Sequence, residues 1–126
     1  MNIKRIQSKL KTSLFGTNIY YEKSLDSTND YAMFLAEEGA PEGTIVLTEF
    51  QKSGKGRLNR KWLANPNQNL LMSMLLRPEV EIEMAQKIAL AITTILIDSI
   101  ADFLKNRHIV ISGLEVKWPN DILLKG

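Results

Sequence analysis

The chain of 126 residues contains no cysteine and one histidine, His108. Without thiols there is no disulfide framework, no thiolate metal site and no cysteine nucleophile, and a lone imidazole excludes a clustered histidine site. The lack of cysteine also suits a reducing cytoplasm. Long apolar runs are missing too. The longest, residues 88–97, is interrupted by Thr93 and Thr94 and falls short of the ~20 residues a membrane span needs. Residues 1–11 carry polar side chains every few positions and lack the apolar centre of a signal peptide. These absences lead to the expectation of a soluble, cytoplasmic protein without a membrane partner.

What is present suits one globular domain spanning residues 1–126. Apolar residues make up 44% and charged residues 24%, ordinary values for a chain that buries a core. The net charge of +2 conceals an uneven distribution. Lys52, Lys55, Arg57, Arg60 and Lys61 fall within twelve residues that contain no acid, while the remainder of the chain holds 11 basic and 14 acidic residues. A positive segment on a slightly acidic body points to a local anion site rather than a broad nucleic-acid surface.

Periodicity predicts the elements. Ile3, Ile6 and Leu10 have helical spacing, and residues 19–23 are aromatic and β-branched, as a first strand requires. Ser27 followed by Asp30 matches a capping box, with Tyr31, Phe34 and Leu35 as the apolar face of the helix behind it. Gly39, Pro41 and Gly43 end that helix and lead into a strand over 44–49. Residues 51–69 read as a long loop with few apolar anchors, expected to be mobile without ligand. Residues 70–76 form a run apolar but for Ser73, read as a buried strand, and 84–104 as a helix packed on a sheet. Val116, Lys117 and Trp118 make a short strand, Pro119 and Asn120 a turn, and 121–124 a last strand. The predicted class is α+β with a mixed or antiparallel sheet. The last strand has no closing element after it, so the chain reads as the front part of something longer.

Three segments hold residues suited to chemistry. Residues 51–62 combine Gly54 and Gly56, which allow close backbone approach, with cations that neutralise phosphate or carboxylate. A P-loop is excluded because Lys55 is followed by Gly56 and Glu49 stands where the first glycine belongs. A dinucleotide fingerprint is excluded because Asn59 replaces its third glycine and no helix follows. The alternative for this segment is a solvated basic connector. In Lys117-Trp118-Pro119-Asn120-Asp121, alternation sets Lys117 on the face opposite Val116, where a cation can meet an anion; the plainer reading is a hairpin turn with a surface lysine. Ser27-Thr28-Asn29 opens a helix whose free N–H groups bind polar ligands, or is simply a cap. His108 is assigned no role.

Taken in order, these segments resemble the catalytic domain of biotin protein ligases. Asp26-Ser27-Thr28-Asn29 resembles that family's D-S-T-N, residues 48–62 its glycine- and arginine-rich adenylate loop, Asn69 to Met74 its N-L-x-x-S-M/I strand, and residues 117–121 its K-W-P-N-D. The resemblance covers residues 19–124. It implies the class II aminoacyl-tRNA-synthetase-like biotin/lipoate ligase fold, represented by its N-terminal portion. It further implies activation of biotin by ATP with Mg²⁺ to biotinyl-5'-AMP, and transfer to a lysine of a biotin carboxyl carrier protein. By position, Ser27, Thr28 and Gln51 would line the pocket for the ureido ring. Gly54, Lys55 and Arg57 would follow the carboxylate and the mixed anhydride. Arg57, Arg60, Trp62, Lys117 and Asn120 would serve ATP, with Arg57, Lys55 and Lys117 carrying catalysis. A protein metal site is not implied, and a homodimer is allowed.

Some features depart from the family. Lys55 stands where many members have arginine, and Asn59 where many have glycine. A further lysine in a K-x-x-G-I/V-L segment would fall just past Gly126, and neither the small C-terminal β domain nor a DNA-binding domain is matched, so no repressor role and no nucleic-acid partner are expected. A lipoate or octanoyl ligase shares the general fold, but residues 51–62 lack the arginine-arginine and triple-glycine pattern of that group. A non-catalytic module binding biotin, or RNA through the basic loop and Trp62, is the reading from a different class, distinguished by its salt dependence.

Overall fold

The computed structural model describes residues 1–56, 58, 60–81, 84–117 and 121–125. They fall into two compact units, residues 1–78 and 79–126.

The first unit begins with α1 (Ile3–Gln7), whose first turn is capped where the Asn2 side-chain oxygen accepts from the Arg5 N–H at 3.0 Å. β1 (Ile19–Glu22), α2 (Thr28–Glu37) and β2 (Ile45–Thr48) follow, with β1 and β2 parallel and Ile19 opposite Ile45. Parallel pairing needs a crossover, and α2 provides it. β3 (Leu71–Met74) returns antiparallel on the other side of β2, giving the order β1-β2-β3. β2 is therefore the central strand, buried along its whole length, and Val46 is 0% exposed. Val46 packs with Ala32 and Leu35 of α2, the cluster on which Leu25, Tyr31 and Ala40 close.

The ends of α2 are closed by identifiable groups. Ser27 caps its start, its hydroxyl accepting from the Asp30 N–H at 3.4 Å, as the capping pattern predicts. At the other end the Arg77 guanidinium donates to the carbonyl of Ala36 (2.8 Å), which also accepts from the Gly39 N–H, and to that of Ala40 (3.1 Å) just beyond the helix. Gly43, at φ +79, then admits the chain into β2. Its N–H donates to the Leu75 carbonyl at 2.8 Å, its carbonyl accepts from Gly16, and a Cβ there would overlap the Leu14 carbonyl. Only glycine satisfies both the dihedral and the space.

β3 differs from the expectation of a buried strand over 70–76. Only Leu71 and Leu75 of this run are buried, while Leu70 is 70% and Met72 41% exposed. The reason is its place at the end of the β1-β2-β3 order. α2 packs on one face of it, so the run alternates inside and outside although its sequence does not.

The second unit holds α3 (Ala85–Lys105), β4 (Gly113–Lys117) and β5 (Asp121–Lys125). β4 and β5 pair antiparallel from Gly113 opposite Lys125 to Lys117 opposite Asp121. α3 packs on β4, as a helix apolar on most sides should. Two strands cover little of it, and Ile95 remains 62% exposed. His108 ends this helix in a left-handed conformation, φ +56. The Ile109 N–H closes on the Leu104 carbonyl at 3.0 Å and its own N–H on Lys105 at 3.0 Å. The fold is thus α+β with a mixed sheet. No helix among the described residues is long and apolar enough to cross a membrane.

Candidate functional site

The carboxyl ends of two parallel strands and the N-terminus of the helix between them form a natural ligand position. Here the chain beyond β1 and β2 continues their pairing. Leu25 N–H donates to the Phe50 carbonyl (3.1 Å), Lys52 N–H to Leu25 (2.9 Å) and Ser53 N–H to Asp26 (2.9 Å). This holds the start of the basic loop against the start of α2. Beneath it, Gln51 is clamped: its side-chain oxygen accepts from the Thr28 N–H at 2.7 Å and from the Thr28 hydroxyl at 2.9 Å. The Ser73 hydroxyl of β3 donates in turn to the Thr28 oxygen at 2.9 Å. Three elements thereby converge on one half-buried amide.

The segment read as a long loop folds back on itself. Lys55 and Lys61 face each other across a short antiparallel bridge, with Gly56 N–H donating to Arg60 (2.7 Å) and Trp62 N–H to Gly54 (2.8 Å). Gly54 is buried at the crossing, and a Cβ on it would stand 2.6 Å from the Trp62 carbonyl oxygen and 3.0 Å from Gln51 Nε2. The loop's return is tied down as well, by Asn67 N–H donating to the Glu49 carbonyl at 3.2 Å.

Two cavities share Lys55 and Trp62 in their walls. One, of about 240 Å³, is lined by Ser27, Thr28, Gln51 and Ser73 beside Leu71 and Met72. The other, of about 440 Å³, is lined by the loop itself, including Lys52, Gly54, Arg60 and Lys61. A small polar-rimmed pocket thus adjoins a cationic one, an arrangement able to take a neutral ring at one end and an anion at the other. Lys55 makes an ion pair: its ammonium lies 2.7 Å from the nearer carboxylate oxygen of Asp30 in the first turn of α2.

A second polar cluster lies just upstream. The Glu49 carboxylate accepts from the terminal ammonium of Met1 at 2.7 Å and from the Tyr21 hydroxyl. Those two hydrogen bonds, the ammonium's first, hold its carboxyl below the ordinary carboxylate range, and the bond to Glu49 pushes the Tyr21 phenol above its own.

Of the residues singled out from sequence, Ser27, Thr28, Gln51, Gly54, Lys55, Arg60 and Trp62 meet in this part of the first unit. Lys117 lies exposed at the end of β4 in the second unit, opposite Asp121. Arg57 and Asn120 lie outside the described residues, as do Trp118, the expected end of a strand, and the expected Pro119-Asn120 turn. Sequence reasoning did not single out Ser73 or Asp30 as site residues. Ser73 was noted only within a strand motif and Asp30 only as part of a cap, and nothing local marks the contacts they make 45 and 25 residues away.

The family model described as the biotin/lipoate A/B protein ligase family matches residues 21–126. The chain is 32% identical over 123 residues to the bifunctional ligase/repressor BirA of Bacillus subtilis, covering 96% of this chain and 35% of that protein. It is 29% identical over 102 residues to the biotin–[acetyl-CoA-carboxylase] ligase of Mycobacterium tuberculosis, covering 79% of this chain and 37% of that one. The chain thus spans about a third of the length of these relatives. In structure it is similar to a biotin protein ligase from Aquifex aeolicus in complex with biotin and ATP, with a TM-score of 0.67 and 29% identity over 84% of this chain and 41% of that one.

Proposed function

The chain belongs to the biotin/lipoate A/B protein ligase family, and from that premise we propose that it serves an ATP-dependent biotin–protein ligase. The observation that carries this reading is the pairing of the Thr28–Gln51 clamp with the cationic loop around Lys55 and Trp62 in adjoining cavities. Ser27, Thr28 and Gln51 hold the ureido ring through hydrogen bonds. Gly54, Lys55 and Arg57 follow the valeryl carboxylate. Arg60 and Trp62 serve the nucleotide, with adenine against Trp62, and Lys117 and Asn120 are assigned to it by their motif alone.

A carboxylate is a poor electrophile and must be activated before an amine can attack it. A biotin carboxylate oxygen forms a bond to the α-phosphorus of ATP and pyrophosphate leaves, giving biotinyl-5'-AMP. Two anions meet in this step, and cations fixed by the loop offset their repulsion. The carrier lysine amine then attacks the acyl carbon, forming an amide and releasing AMP. Between the steps the anhydride must be kept from water, and a loop that lies over the site does this.

In this reading Mg²⁺ enters with ATP as the Mg–ATP substrate, bound mainly by phosphates as this ion commonly is. The partner is a biotin carboxyl carrier protein or domain, and the compartment the cytoplasm.

Calorimetric titration of the full-length protein with biotin and with lipoate tests the reading. Saturable biotin binding that persists at high salt, with lipoate much weaker, is the expected result. Lipoate binding as tight as biotin, or binding only to RNA with a steep salt dependence, would overturn it.

A further inference from the structure

Ser73 touches the proposed ureido site without belonging to the residues that define it. Its role follows from one group that cannot change its nature. The Thr28 backbone N–H is an obligatory donor, so the Gln51 atom 2.7 Å from it must be the amide oxygen. That oxygen only accepts, so the Thr28 hydroxyl, 2.9 Å away, must spend its single hydrogen on it. The Thr28 oxygen can then only accept from Ser73 at 2.9 Å, and the Ser73 hydroxyl must donate. One backbone N–H at the start of α2 thereby sets the direction of every bond back to β3.

The consequence reaches the ligand. With its oxygen engaged twice, the Gln51 side chain has only its NH₂ group left to offer, beside the buried Gly54. We propose that Ser73 is a positioning residue that holds the Thr28 hydroxyl on the Gln51 oxygen, and so steadies an amide, already oriented by the Thr28 N–H as a hydrogen-bond donor, for a ring presenting an acceptor oxygen. The proposal rests on the biotin reading, in which the ureido carbonyl is that acceptor; the dithiolane ring of lipoate has none. Ser73 stands on β3, paired with Val46 of the central strand, so its hydroxyl is fixed by the sheet rather than by the loop.

The test is a double-substitution cycle with Ser73→Ala and Thr28→Val, read in biotin-dependent ATP–pyrophosphate exchange by the full-length protein. Ser73→Ala is expected to raise KM for biotin about fivefold, the loss of one net hydrogen bond, leaving kcat and KM for ATP unchanged because the ring is remote from the reacting carboxylate. In the Thr28→Val background the same change is expected to cost nothing more. Ser73→Thr, which keeps the hydroxyl, is expected to restore KM to within about twofold. Additive losses would mean that Ser73 acts on biotin directly and would overturn the proposal. So would an unchanged KM in Ser73→Ala, or equal losses in KM for biotin and ATP, the mark of general damage. Absence of biotin-dependent exchange in the unsubstituted protein would instead overturn the biotin reading, and the proposal with it.

Discussion

The Lys55 ammonium lies 2.7 Å from one carboxylate oxygen of Asp30 and 2.9 Å from the other. The loop cation proposed to meet the substrate carboxylate is thus engaged by a carboxylate of the protein, and an incoming anion must replace it. Both side chains are more than half exposed, which confines such a pair to ~0–1 kcal/mol. Asp30→Asn is therefore expected to lower KM for biotin about two- to threefold in pyrophosphate exchange. A rise in KM would show that Asp30 holds Lys55 in its working position instead.

Gly54 and Gly56 separate two consequences of loop geometry. A Cβ on Gly54 would meet the Trp62 carbonyl oxygen at 2.6 Å, whereas one on Gly56 would lie 3.3 Å from that of Arg60. Gly54→Ala must push the two sides of the hairpin apart, and a displacement of about 1 Å at a reacting site costs roughly a hundredfold in rate. Gly56→Ala is expected to cost only a few-fold. Steady-state exchange rates for the two variants check the contrast.

The cluster of the Met1 ammonium, Glu49 and Tyr21 predicts two changes with pH, the Glu49 carboxyl being lowered first by the ammonium and the Tyr21 phenol raised by its bond to Glu49. The raised Tyr21 phenol contributes stability that is fully present below its ordinary pKa of 10.0 and is lost as pH rises through the higher folded value. The lowered Glu49 carboxyl contributes stability present above its ordinary 4.5 and lost as pH falls through the lower folded value. Phenolate absorbance is expected to resolve a tyrosine titrating above 10, and Tyr21→Phe is expected to remove it while leaving biotin binding intact.

At His108 a side chain occupies the left-handed position, φ +56, that glycine fills after α2 at Gly39, φ +85. Such strain costs roughly 1 kcal/mol. His108→Gly is expected to raise the thermal midpoint by about 4 °C, as the entropy of unfolding of a chain this long implies. Biotin-dependent exchange should be unaffected, and differential scanning calorimetry checks the shift.

These residues also show how far the sequence could be read. The Ser27 cap, the strands Ile19–Glu22 and Ile45–Thr48 and the helix Ala85–Lys105 were legible because each rests on local pattern: a capping hydroxyl, β-branched runs, helical spacing. The exposure of Met72 was not, because whether an apolar strand is covered depends on its place in the sheet. Gln51 was singled out by resemblance, yet its clamp by Thr28, which Ser73 in turn holds, needs α2 and β3 folded together. The Lys55–Asp30 pair is hidden for the same reason, since charges 25 residues apart declare no contact. The left-handed turn at His108 escaped because glycine, its usual marker, is absent there.

Biotin-dependent exchange of pyrophosphate into ATP by the full-length protein, measured beside its Arg57→Ala variant, tests the central claim most directly. Rapid exchange that needs biotin and falls at least a hundredfold on loss of the Arg57 guanidinium is the predicted result. Exchange that proceeds without biotin, or that is unchanged in Arg57→Ala, would contradict it.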